Sequence, residues 1–130
     1  MKITTLLLVF LAVVLVVASV SCNRFTGNAV EYTGSNIGSH IDGSYKLFDG
    51  TQSKTIPVKV KQVMEFSYNS TVEEGKLSMT LEDTEKVKVL EFPINTSGVV
   101  YINADNTGNY HLIIVGDKTR GRFSVSWKIK

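Results

Sequence analysis

The 130-residue chain holds one cysteine, Cys22, two prolines, one tryptophan and two histidines. A lone cysteine excludes an intrachain disulfide, so stability must come from packing. The histidines, His40 and His111, lie far apart and no cysteine pair accompanies them, so the ligand spacing of a zinc site is missing. A charge excess of one sign is missing too: 14 basic residues are interspersed with 12 acidic ones, for a net charge of +2. Without a basic stripe to displace counterions from phosphates, nucleic acid is not expected as a partner. After Val20 no apolar run approaches the ~17 residues of a spanning helix. No serine sits in a G-x-S-x-G elbow, and no cofactor motif occurs.

What is present begins with an export pattern. Lys2 precedes a run from Ile3 to Val20 whose only polar members are Thr4, Thr5 and Ser19, with no acid. That is the layout of a secretory signal. The run ends in Ala18-Ser19-Val20-Ser21-Cys22, which resembles a bacterial lipobox. The resemblance implies a diacylglyceryl group on the Cys22 sulfur and cleavage between Ser21 and Cys22. A lipid-anchored protein on the extracytoplasmic face of the cell membrane follows from it. Ser19 stands where a leucine is more usual in that family. Two other fates stay open: an ordinary cut after Ser21, leaving a free thiol, or retention of the segment as an anchor. More than one acyl chain is required for lasting attachment, because a single chain binds membranes only marginally.

Residues 22–42 are rich in Gly, Ser, Asn and Thr, with Phe25, Val30, Tyr32 and Ile37 in no sustained period. This predicts a flexible tether behind the lipidated cysteine, with Val30 and Tyr32 able to add a short edge strand. From residue 43 to 130 the pattern is β: Phe123, Val125, Trp127 and Ile129 alternate with Arg122, Ser124, Ser126 and Lys128, and Leu77, Met79 and Leu81 alternate with polar neighbours. Period two means half-buried strands. Eight are expected, at 44–48, 55–61, 63–68, 76–81, 86–92, 98–104, 110–115 and 122–128. The reversals between them are predicted at Asp49-Gly50, Glu74-Gly75, Ser97-Gly98, Asn106-Thr107-Gly108, Gly116-Asp117 and Arg120-Gly121. The fold class is therefore an all-β antiparallel sandwich of the jelly-roll kind. The Lys-rich run Val58–Lys61 reads as a guarded edge.

The closing segment, Gly108-Asn109-Tyr110-His111-Leu112 through Gly121-Arg122-Phe123-Ser124-Val125, is similar to the final hairpin of prepeptidase C-terminal type domains. The resemblance covers about a fifth of the chain and implies a two-sheet, noncatalytic accessory or binding domain.

Candidate chemistry is sparse. Asn103-x-Asp105-x-Thr107-Gly108 has the oxygen spacing of half a calcium loop but carries Ile114 where the bidentate glutamate belongs, so a plain turn is expected and calcium dependence stays open. Glu82-Asp83-Thr84-Glu85 and Glu73-Glu74 read as solvated turns rather than as facing carboxylates. The Asn69-Ser70-Thr71 and Asn95-Thr96-Ser97 sequons read as turns as well. Of the aromatic residues, Phe48, Phe66, Tyr68, Tyr110 and Trp127 are expected in the core, and Tyr45 and Tyr101 on the surface. These features point to a noncatalytic module, with no cofactor, no metal and no catalytic residue, that binds a protein or a glycan. The alternative is an accessory structural subunit of a cell-envelope complex.

Overall fold

The computed structural model describes residues 23–130, where every regular element is a strand: β1 (Asn23–Val30), β2 (Thr33–Ile37), β3 (His40–Val58), β4 (Val63–Glu82), β5 (Lys88–Glu91), β6 (Ser97–Asn103) and β7 (Gly108–Ile129). Ser21 and Cys22, with the whole expected signal, lie outside the described residues. All pairings are antiparallel, as the alternation predicts.

β3, β7 and β4 lie side by side at the centre. Each outer strand covers only part of its central neighbour. β2 pairs with His40–Ser44 of β3 and β1 with Leu47–Lys54; β6 pairs with Val63–Asn69 of β4 and β5 with Thr80–Glu82. Between these parts the register slips, at Tyr45–Gly50 on β3 and Val72–Lys76 on β4, both against Gly116–Gly121 of β7. Three central strands are thus bulged at one level, and a bulge bends a strand and sharpens its twist. Gly75 has φ +74°, and a Cβ there would collide with the Asp117 and Lys118 carbonyl oxygens, so only glycine fits this corner.

The bend closes the sheet onto itself. Phe66 and Met79 are thirteen residues apart on β4, which spans about 43 Å if straight. Yet the Phe92 amide donates to the Met79 carbonyl at 2.8 Å, while the Phe92 ring lies 5.4 Å from the Phe66 ring. The two halves of β4 therefore face each other. Ile41, Met64, Phe66 and Val125 from one half-sheet meet Ile56, Met79, Leu112 and Ile114 from the other in one buried core.

The eight expected strands occupy five of the seven elements, because three predicted pairs are single long strands. Asp49-Gly50, Glu74-Gly75 and Gly116–Gly121 are corners, not reversals. The supposed closing hairpin is consequently not one: 110–115 and 122–128 are successive parts of β7, paired to β3 and β4 and not to each other. The glycines and polar residues that suggested turns supply bulge conformations instead, Lys118 at φ +46° and Gly121 at φ +144° among them. Of the Val58–Lys61 run only Val58 is strand, closing the part of β3 that has no partner opposite β7 among the described residues, while Lys59–Lys61 turn toward β4. β3 ends at Val58 beside β7, and Pro57 lies beyond Lys54, the last β3 residue paired with β1. Its missing N–H therefore costs no ladder bond on that side.

The segment expected to be a tether is built into the fold. β1 and β2 pair along β3, and Gly38-Ser39 makes a two-residue hairpin between Ile37 and His40. Phe25 and Tyr32 join Tyr45, Phe48 and Phe123 in an aromatic cluster, with Tyr32 stacked on Tyr45 at 5.7 Å and Phe25 on Phe48 at 5.7 Å. The inward positions of β3 beneath this segment carry Gln52 and Lys54, both buried. A buried polar group needs a partner, and this segment supplies it. The Tyr32 hydroxyl donates to Gln52 Oε1 at 2.8 Å, and Lys54 Nζ donates to Asn36 Oδ1 at 2.7 Å while lying 5.6 Å from the Trp127 ring centroid. Burial lowers the Lys54 pKa, and it raises the Tyr32 and Tyr45 hydroxyls to about 12 each.

Tyr32→Ala removes a half-buried ring and the donor to Gln52, and is expected to cost about 2–3 kcal/mol in urea unfolding. A true tether residue would leave the unfolding midpoint unchanged.

Candidate functional site

The half-sheet formed by β2, the start of β3, the end of β7, the start of β4 and β6 buries one face and presents the other. Its register places the outward side chains in cross-strand rows. Thr33, Ser44, Arg122 and Thr71 form one row; Ser35, Asp42, Ser124, Asn69 and Ser97 the next. Ile37, His40, Ser126, Ser67 and Val99 make a third, and Lys128, Glu65 and Tyr101 a fourth. Residues two apart on a strand are ~7 Å apart and neighbouring strands ~4.8 Å apart, so this is a dense lattice of donors and acceptors. Small hydroxyl side chains fill its middle and longer charged ones its borders.

Three shallow grooves run over the face. One of about 510 Å³ is walled by Ser35, Asp42, Ser44, Asn69, Arg122 and Ser124. A second, of about 360 Å³, lies where the sheet bends, between the ion pairs Lys46–Glu31 (3.0 Å) and Arg120–Glu73 (3.1 Å). Arg122 lines both grooves. The third, about 80 Å³, lies among Glu65, Ser67, Ser126 and Lys128. Tyr101, 62% exposed, stands directly across from Glu65 at its rim. A broad, open, hydroxyl-lined surface suits an extended polar ligand; a small apolar molecule requires an enclosed cavity.

Asp42 organises the upper part of this surface. Its carboxylate accepts from the Ser35 amide at 2.9 Å and the Ser35 hydroxyl at 3.1 Å, and contacts His40 Nε2 at 2.5 Å. The His40 hydrogen bond, aided by those from Ser35, holds the Asp42 pKa below its ordinary value against a smaller opposing effect of burial. Serine, histidine and aspartate are thus adjacent, but both others bond the carboxylate. The serine hydroxyl is not directed at the imidazole, as nucleophile activation would require.

The residues singled out in the sequence are widely distributed. Tyr101 is on the surface as expected, but Tyr45 is not: it is 4% exposed, its ring packed against Tyr32, Phe48 and Phe123 and its hydroxyl near Thr119. Tyr45 continues the inward alternation of Ile41 and Gly43 on β3, ahead of the bulge. Phe48, Phe66, Tyr110 and Trp127 are buried. His40 belongs to the lattice rather than to a tether, while His111 faces outward from the opposite half-sheet between Thr55 and Glu82. The calcium-like segment is a turn in which Thr107 Oγ1 accepts from the Val60 amide at 2.9 Å. Asp83 Oδ1 caps its own turn, accepting from the Glu85 and Val87 amides. Asn95, at φ +60°, fastens the loop after β5 to β4 through the Val72 amide and the Ser70 hydroxyl. Among the described residues no three His, Cys, Asp or Glu side chains converge to hold a metal.

No protein-family model and no curated protein matches the chain. Solved structures do share its fold. The secreted serine protease VesC from Vibrio cholerae superposes with a TM-score of 0.56 at 9% identity, over 83% of this chain and 24% of VesC. TmCBM61, solved in complex with β-1,4-galactotriose, gives a TM-score of 0.50 at 13% identity, over 85% of this chain and 88% of that one. The chain therefore spans about a quarter of VesC but nearly the whole of a carbohydrate-binding module. At such identities the likeness is one of fold, a β-sandwich.

The Asp42 interactions carry a pH signature. A depressed carboxylate contributes stability above its unfolded value of 3.8, and the contribution is lost as pH falls through the lowered folded value. Acid unfolding of Asp42→Asn is therefore expected to be less steep below pH 4 than that of the parent, measured by tryptophan fluorescence.

Proposed function

We propose that this is a noncatalytic glycan-binding module, carried on the outer side of a cell membrane by lipid on Cys22. The observation that carries the binding reading is the lattice of outward hydroxyl, amide and charged side chains over five strands, with exposed Tyr101 at its rim. A sugar offers alternating hydroxyls and an apolar ring face. The former match serines and threonines at strand spacing, and the latter stacks on an aromatic side chain. A fold shared with a module solved on a galactotriose supports the same reading. The arrangement of Ser35, His40 and Asp42 around one carboxylate supports a binding rather than a hydrolytic role.

The anchor rests on the sequence: the apolar run to Val20, the small residues 18–21 and a single cysteine immediately after them. Intact mass and detergent partitioning of the native protein are expected to show a mature chain starting at acylated Cys22, with Cys22→Ala accumulating as precursor. A released chain with unmodified Cys22 would remove the anchor and leave the binding module.

Binding is tested by a panel of plant and microbial oligosaccharides in isothermal titration. Tyr101→Ala is expected to weaken the best ligand by five- to tenfold, about 1 kcal/mol for one lost stacking contact, with thermal stability unchanged because the side chain is exposed. Absence of binding across the panel would overturn the glycan reading.

A further inference from the structure

Resting on the glycan-binding reading, we infer that the face selects acidic sugars, those bearing a carboxylate or sulfate, and that Arg122 is the selecting residue. The argument is one of charge balance within the two larger grooves. Glu31 is paired with Lys46, Glu73 with Arg120, and Asp42 with His40 and Ser35. Each glutamate at the border of these grooves is thus answered by a basic neighbour, and Asp42 has its carboxylate oxygens occupied by hydrogen bonds. Arg122 alone is unanswered: it is exposed and has no ion pair or side-chain hydrogen bond among the described residues.

Its position is as informative as its freedom. Arg122 projects from the central strand β7 between Ser44 of β3 and Thr71 of β4, two short side chains that leave it clear on either flank. It forms part of the wall of both grooves, so a ligand lying in either one, or across both, meets it. A guanidinium is a planar fork of donors that fits carboxylate and sulfate oxygens two at a time. It is permanently charged and accepts nothing, so a neutral sugar hydroxyl uses it less well than an anionic group. The paired border acids matter in the opposite sense. Neutralised by Lys46 and Arg120, Glu31 and Glu73 do not repel an incoming anion as free carboxylates would.

The test compares oligogalacturonate, its methyl ester and a sulfated galactan oligosaccharide on the full mature chain and on Arg122→Gln, by isothermal titration at two salt concentrations. An acidic ligand, carboxylated or sulfated, is expected to bind about tenfold more tightly than its neutral counterpart, as one charge-assisted hydrogen-bond pair warrants. Arg122→Gln is expected to bring acid and ester to equal affinity, with the melting temperature unchanged because the side chain is exposed; which anion gains identifies the source of the charge. Equal binding of acid and ester by the parent chain overturns the selectivity and leaves the glycan module standing. An Arg122→Gln variant that keeps the preference removes the residue from the role. Failure to bind any sugar, charged or neutral, overturns the module itself.

Discussion

Everything in this domain depends on three central strands bending at the same level. A straight sheet of β3, β7 and β4 would leave both faces in water. The bulges at Tyr45–Gly50, Val72–Lys76 and Gly116–Gly121 fold it so that one face of each half closes on the other. The corner is costly to build, requiring positive φ at Gly75, Lys118 and Gly121. What it brings in return is a continuous core drawn mainly from three long strands, with Phe92 and Ala104 added from the segments after β5 and β6. Four short strands then extend the halves, and their shortness limits the unpaired edge that each half presents.

The polar interior beneath β1 and β2 is a second consequence of the fold. β3 carries Gln52 and Lys54 at positions where alternation calls for apolar side chains, and the chain answers with Tyr32 and Asn36 rather than with water. Such pairs contribute modestly to stability but strongly to specificity, since detaching the segment would strand both. The first fifteen described residues are therefore tied to β3 by rings at Phe25 and Tyr32 and by hydrogen bonds at Tyr32 and Asn36.

Much of this was legible in the sequence, and what was not has physical reasons. The alternation in 122–129 and 76–82 gave the strand class and the inward residues correctly, and the outward Arg122, Ser124, Ser126 and Lys128 are the spine of the candidate face. Glycine next to a polar residue misled, because a corner and a reversal both need unusual backbone angles; Asn106-Thr107-Gly108 is a reversal and Glu74-Gly75 is not. Segment 23–42 looked structureless because its apolar residues serve two short strands in different half-sheets and so share no period. Tyr45 was misplaced because its inward phase is shared with Ile41 and Gly43, and a glycine at the middle position hides that alternation. The lattice itself was out of reach. Bringing Asp42, Asn69 and Ser124 into one row requires pairings across dozens of residues that no local pattern encodes.

With β1 starting at Asn23, a lipid on Cys22 would leave the domain no leash. One residue spans at most ~3.6 Å, so the body would ride against the headgroups with its tilt set by where β1 enters the sheet. A module held in this way samples only a thin layer above the bilayer, and the orientation of its hydroxyl-rich face toward or away from that layer decides which polymers it ever meets.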